Sequence, residues 1–310
     1  MRKNKKQSTH LPLFILGGLF LYILGDHVEE LRVLQGTSIA VYVIAISSII
    51  LLTGYSGQVS LGHGALMAIG AYAAAVLRLE LHLPIVVCFI AAVLAAAIGG
   101  ALLGAAAARL SGPYLAGTTL ALAIGLPSLA NQFSFLGGEQ GLEFKVGPDD
   151  LTYYKWWFWI ASLAALIAMW TIRNILNSSF GRSWRAGRGN EVAAQLAGIN
   201  TARSKVLAFT ISAGVAGLAG ALLAMTIGTV SPSAFPLALS FSLLTGAVLA
   251  GITTLGGVII GAVVLVAIPE IAGSVADRFG SSESVTTNLP GLIVSSLLIL
   301  TVLFVPNGPV

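Results

Sequence analysis

Ten apolar runs divide this 310-residue chain, at roughly 11–25, 33–52, 64–78, 84–108, 113–131, 153–173, 206–230, 237–252, 257–274 and 289–305. A helix of about 20 apolar residues crosses a bilayer because it satisfies its own backbone where water cannot. The strands of a membrane barrel would alternate apolar and polar side chains, and these runs do not. The pattern predicts an all-α polytopic membrane protein with about ten transmembrane helices. With 56% hydrophobic and 9% charged residues, a water-soluble fold is excluded. Several runs are shorter than a full crossing, so at least one broken or re-entrant segment is expected.

Charge placement orients the spans. If the N-terminus is cytoplasmic, ten crossings put 11 of the 16 Lys and Arg on the cytoplasmic side, while Glu191 alone of the 12 acidic residues falls there. The excess of cytoplasmic Lys and Arg supports this orientation, with both termini inside. The formal net charge of +4 therefore reports topology and not nucleic-acid binding. The chain divides into a basic cytoplasmic N-terminus at 1–10 and one transmembrane domain at 11–310, with a long cytoplasmic loop at 174–205. No small-x-small cleavage site precedes Asp26, so the first run is expected to be retained as a helix and not removed as a signal peptide.

Glycines recur where close helix packing is expected: Gly100 with Gly104, Gly257 with Gly261, and Gly214, Gly217 and Gly220 in one run. Cys88 sits in an apolar run and reads as inert packing. Glu270 follows Pro269 near a span end and is expected to reach the interface. No Gly-Lys pair is present, so the chain carries no Walker A loop. HExxH, GxSxG and clustered Cys/His patterns are absent too, and neither catalytic nor metal-binding residues are assigned.

Two segments break the apolar pattern. GYSGQVSLGHGALMAIGAYA, residues 54–73, sets glycines beside Ser56, Gln58, Ser60 and His63 between two apolar runs. It reads either as broken backbone lining a pathway or as an ordinary cytoplasmic turn with His63 bonded to the chain. The 174–205 segment is polar and basic, with a helical stretch opened by Asn190 and closed by Gly198. It reads either as a helix lying on anionic lipid or as a docking helix for a soluble partner.

Read together, the two segments resemble a known family. The 54–73 stretch resembles the signature of permease subunits of branched-chain amino-acid ABC importers, and GRSWRAGRGNEVAAQLAGINTARSKVLAFTISAGVAGLAGALLA resembles their coupling loop and the Gly-rich helix after it. VSPSAF at 230–235, GGVIIGA at 256–262 and the closing run to VPNGP also fit. GPYLAGTTLALA at 112–123 and LGGEQGL at 136–142 are similar to the M-type (LivM-type) subunit. The resemblance implies a bacterial plasma (inner) membrane location, a second and different permease, two cytoplasmic ATPases that hold ATP and Mg, and an extracytoplasmic solute-binding protein. It implies no cofactor on this chain and no nucleic-acid partner, with membrane lipids as surroundings. Gly57, Gln58, Ser60, His63, Thr118 and Thr119 become candidates for the translocation pathway. Glu191, Ala193, Ala194 and Gly198 match the loop that engages the ATPase, with Arg182, Arg185 and Arg188 placed to pair with acidic residues around its groove.

The chain departs from the family pattern in two places. Pro127 is an unexpected helix breaker in IGLPSLANQ, and threonines stand in GITTLGG, residues 251–257. These bear on the cargo, for which urea, amides or another small polar solute is the alternative. An ion-coupled secondary transporter is a less favoured reading, since it has no use for the 174–205 loop, and a non-transporting scaffold is a third. Glu139, Glu143, Asp149 and Asp150 in the outer 132–152 loop either dock the binding protein or form plain solvated surface.

Overall fold

The structure, a computed structural model, describes residues 18, 30–110, 112–144 and 152–278, with 289, 291–293, 295–297, 299–300 and 303 beyond them. The expectations for 1–10, for the run 11–25, for Asp149 and Asp150 and for the C-terminus lie outside the described residues.

Ten α-helices are fully described: α1 Glu30–Ile49, α2 His63–Leu81, α3 Ile85–Ala107, α4 Pro113–Gln132, α5 Thr152–Asn177, α6 Ser179–Gly189, α7 Glu191–Leu196, α8 Thr201–Ile227, α9 Leu237–Leu249 and α10 Val258–Arg278. Seven helical segments are long and apolar enough to cross a membrane, so about ten such helices is not reached among the described residues. Three expected runs account for the shortfall: 113–131 forms α4, which is not among the seven, 11–25 lies outside the described residues but for Gly18, and 289–305 is described only in part. Pro127 does not break α4, which runs on to Gln132. A proline removes one N–H from the ladder, and the turns on either side keep theirs.

The bundle is built around α8, which packs against α1, α2 and α3. Small residues make the approach possible. A Cβ on Gly100 would meet the Phe209 carbonyl, one on Gly217 would meet the Ala92 carbonyl, and one on Gly220 would meet that of Met67. Along α3 and α8 these contacts run from Gly104 beside Val206 to Ala92 beside Gly217, an antiparallel pair. Gly261 and Gly257 likewise face the backbones of Gly246 and Ala250 where α9 and α10 cross. Cys88 is fully buried and its thiol points at the Leu83 carbonyl.

The two ends of the bundle differ. At one end strand β1, Leu142–Glu143, pairs antiparallel with β2, Thr229–Val230, and Phe144 is buried behind it. Gln35 donates to exposed Glu270 at 2.8 Å, tying α1 to the far part of α10. The other end gathers residues 53–58, the α6–α7 pair and the 251–254 turn, where the Tyr55 hydroxyl donates to the Thr253 carbonyl at 2.9 Å. The segments that charge counting puts on one side of the membrane are thus neighbours.

Candidate functional site

The feature that organises the site is the path of the backbone from 50 to 63. Helix α1 does not stop at Ile49 but widens into a π-helical turn over Ile50–Tyr55. Ser56 N–H bonds to the Leu51 carbonyl, Gln58 N–H to that of Leu52 at 3.2 Å, and the Thr53 hydroxyl to that of Gln58 at 3.2 Å. Gly57 turns the chain with φ +73°, a conformation that costs other residues strain. Residues 57–62 are non-helical and lead back into the bundle, where α2 begins. Irregular backbone at such a depth persists only where protein receives its polar groups. Here it does: Leu61 N–H bonds to Thr119 Oγ1 at 3.0 Å, and Gly64 N–H to Ser240 Oγ at 3.0 Å.

His63 closes the segment and is 1% exposed. Its Nε2 lies 3.0 Å from Ser212 Oγ and its Nδ1 lies 3.2 Å from Ser60 Oγ. Ser212 donates its proton to the Ser48 carbonyl at 2.8 Å, so toward the imidazole it can only accept. These directions assign the Nε2–H tautomer: Nε2–H donates to Ser212, and Nδ1 accepts from Ser60, whose oxygen also accepts the Gly62 N–H. Ser212 lies 11 residues into α8, a rise of about 16 Å, so this knot is well inside the bundle.

The pathway candidates therefore divide. Ser60, His63 and Thr119 form one buried group, with Gly57 and Gln58 at the more open turn before it. Thr118, whose hydroxyl returns to the Leu115 carbonyl at 2.8 Å, does not join them.

At the base, α6 and α7 form a compact pair. Ser178 caps α6 through the Phe180 N–H, and Asn190 caps α7 through the Ala193 N–H at 3.0 Å. Gly198, at φ +82°, ends the second helix. Trp184 is buried and donates to the Ser204 carbonyl at 2.9 Å, fixing α6 to the root of α8. The three arginines face this chain's own carbonyls. Arg182 donates to Asn177 and Arg185 to Leu176, while the Arg185 guanidinium also lies 5.7 Å from the Tyr55 ring centre. Arg188 donates to the Gly54 carbonyl.

Glu191 pairs with Lys205 at 2.8 Å, and the Lys205 hydrogen bond holds its carboxyl below the usual range against the opposing effect of burial. Gln195 bonds Thr201 at 2.8 Å. A small cavity of about 20 Å³ is lined by Ser56, Gln58, Ser183, Trp184, Glu191 and Lys205 among others. On the outer side of α7, Val192 and Leu196 are 66% and 86% exposed, and Ala193 and Gly198 are exposed beside them, whereas Ala194 is buried.

Ser212, Ser240 and the Arg188–Gly54 bond were not candidates on sequence grounds. Ser212 stands at the head of the Ala/Gly-rich run 212–221 of α8, two residues after Thr210, and that was the available signal. Among the described residues no three His, Cys, Asp or Glu side chains converge as metal ligands would.

A multi-span helical bundle with an irregular polar segment leading into it and a short helical pair at one end defines a polytopic helical membrane protein. The model of the "Branched-chain amino acid transport system / permease component" family matches residues 35–304, and the chain belongs to that family. The high-affinity branched-chain amino acid transport system permease protein LivM of Salmonella typhimurium is 34% identical over 265 residues, 76% of this chain and 62% of that protein. LivH of the same organism is 31% identical over 185 residues, covering 60% of this chain and 54% of LivH. The autoinducer 2 import system permease protein LsrC of Salmonella paratyphi B is 32% identical over 107 residues, 34% of this chain and 30% of LsrC. The chain thus spans less than two thirds of the length of these curated relatives.

Proposed function

We propose that this chain is a LivM-type permease subunit of an ATP-driven importer of branched-chain amino acids. It does no covalent chemistry. It works beside a second, different permease, two cytoplasmic ATPases that bind ATP and Mg, and an extracytoplasmic binding protein that delivers the solute. The observation that carries this reading is the α6–α7 pair. Val192 and Leu196 stand exposed on a short capped helix at the polar, basic end of the bundle. A partner groove that takes both would cover them.

With the α6–α7 end cytoplasmic, the excess of basic residues there obeys the positive-inside rule and both termini are cytoplasmic. Binding and release of ATP on the partners then rock the bundle between outward-open and inward-open states. Gly57 and Gln58 line the inner part of the route, and Ser60, His63 and Thr119 hold its backbone. Exposed Glu139 and Glu143 near the opposite end fit a docking face for the binding protein.

A related small polar solute is the second reading, and the similarity to LsrC, an autoinducer 2 permease, favours keeping it. Uptake of labelled leucine in cells with and without this subunit separates the two, with isoleucine, valine, urea and alanine as competitors. Subunit-dependent uptake competed by isoleucine and valine is the expected result. Competition by urea or alanine alone, or uptake indifferent to the subunit, would sink the branched-chain assignment.

A further inference from the structure

The end of the Glu30–Tyr55 helical stretch has a feature that the fold does not require. The last carbonyls of a helix lack intrahelical donors and carry the negative end of its dipole, a place where a cation is favoured. Arg188 occupies that place. Its guanidinium donates to the Gly54 carbonyl, and its stem lies against the next turn, where a Cβ on Gly57 would come within 2.9 Å of Arg188 Cγ. Head and stem together clasp both sides of the point where the π-helical turn gives way to irregular backbone. Gly54 is also packed against the Ile252 carbonyl, which a Cβ at this position would meet.

Arg188 is also two residues from Asn190, which joins the two short helices. The Asn190 N–H closes α6 on the Ala186 carbonyl at 3.2 Å while its side chain caps α7. The exposed Val192 and Leu196 lie on that second helix. A displacement applied to them reaches Arg188 through one junction residue, and from Arg188 it reaches Gly57, six residues before the His63 knot. Arg182 and Arg185 donate to carbonyls at the root of α6 itself, Asn177 and Leu176, and so brace the helix instead.

We infer that Arg188 is the positioning residue that transmits movement of the α6–α7 pair to the re-entrant segment, through its clasp on Gly54 and Gly57. The inference rests on the importer reading. It assigns to this arginine an inward, transmitting role, distinct from pairing with acidic groups of a partner.

The test uses the complete importer in proteoliposomes, with leucine, its binding protein and the ATPases, and measures uptake and ATP hydrolysis together. Arg188→Ala is expected to leave ATPase association intact and basal hydrolysis within about twofold, while uptake and the stimulation of hydrolysis by loaded binding protein fall about tenfold, the scale of one lost charge-assisted hydrogen bond. Arg188→Lys, which keeps a cation within reach of the Gly54 carbonyl, should recover part of both. Wild-type uptake per ATP in Arg188→Ala would overturn the inference, and so would loss of bound ATPase, which would place Arg188 in the docking surface. If the unaltered chain binds no ATPase and its hydrolysis ignores leucine, the importer reading itself fails and takes the inference with it.

Discussion

The stretch from Ile50 to His63 is held differently at its two ends. At His63 the contacts are neutral and buried: an imidazole between two hydroxyls, with Ser212 and His63 at 0% and 1% exposure. At Gly54 and Tyr55 they are cationic and near solvent, from Arg188 and Arg185 of a surface helix. A buried polar group left unpaired loses its full hydration, so the inner knot is costly to open. The outer contact is made by the side chain of an exposed helix, so it moves with that helix and not with the buried knot. The inner end is built as a fixed point and the outer end as one that can move.

The largest effect that would test this contrast is on the outer side. Val192→Asp with Leu196→Asp should leave the melting temperature of the detergent-solubilised chain within a degree or two, since surface changes away from packed features cost about 0.5 kcal/mol or less. Co-purification of the ATPase should nevertheless fall at least tenfold, because two charges would have to enter an apolar groove. Retained co-purification would mean that α7 is not the docking element.

The reverse pattern is expected at the inner end. His63→Leu keeps the volume but leaves the Ser60 and Ser212 hydroxyls without the imidazole, at a cost of about 1–3 kcal/mol for an unpaired buried group. Thermal unfolding should report that loss while ATPase association is unchanged. A His63→Leu chain as stable as the parent, yet inactive in uptake, would instead make His63 a solute contact and the fixed-point account wrong.

How far these ends were legible in sequence follows from how local their contacts are. Six of the apolar runs appear as helical segments of membrane-crossing length within a few residues of their expected ends, because hydropathy acts residue by residue, and a seventh, Pro232–Leu249, qualifies only with the short turn before α9 included. The helix from Asn190 to Gly198 was equally readable, since cap and terminator lie within its own turn. Ser179–Gly189 was not, because Gly181, Gly187 and Gly189 argue against a helix that tertiary contacts of Trp184 and the arginines impose. The His63 site was half legible: Ser60 is three residues away in the same polar stretch, but Ser212 is 149 residues distant and looks like any serine in an Ala/Gly run. Arg188 and Gly54, 134 residues apart, left no sequence trace of their bond at all.

The smallest expected effect concerns the ion pair that fastens the outer element to α8. Lys205 holds the Glu191 carboxyl below its ordinary value, so the native state binds that proton less readily than the unfolded chain does. The stabilisation is therefore present above the unfolded value, about 4.3, and is lost as pH falls through the lower folded value. Because the Glu191 side chain is 40% exposed, solvent screening holds this contribution to less than about 1 kcal/mol. Unfolding followed from pH 7 down to pH 3 should show a slightly steeper acid-side loss in the parent than in Glu191→Gln, with little difference at neutral pH beyond the missing pair. Identical acid slopes would show that the pair adds nothing measurable, and that the other contacts, Trp184 to Ser204, Gln195 to Thr201 and Arg188 to Gly54, hold the α6–α7 element to the bundle.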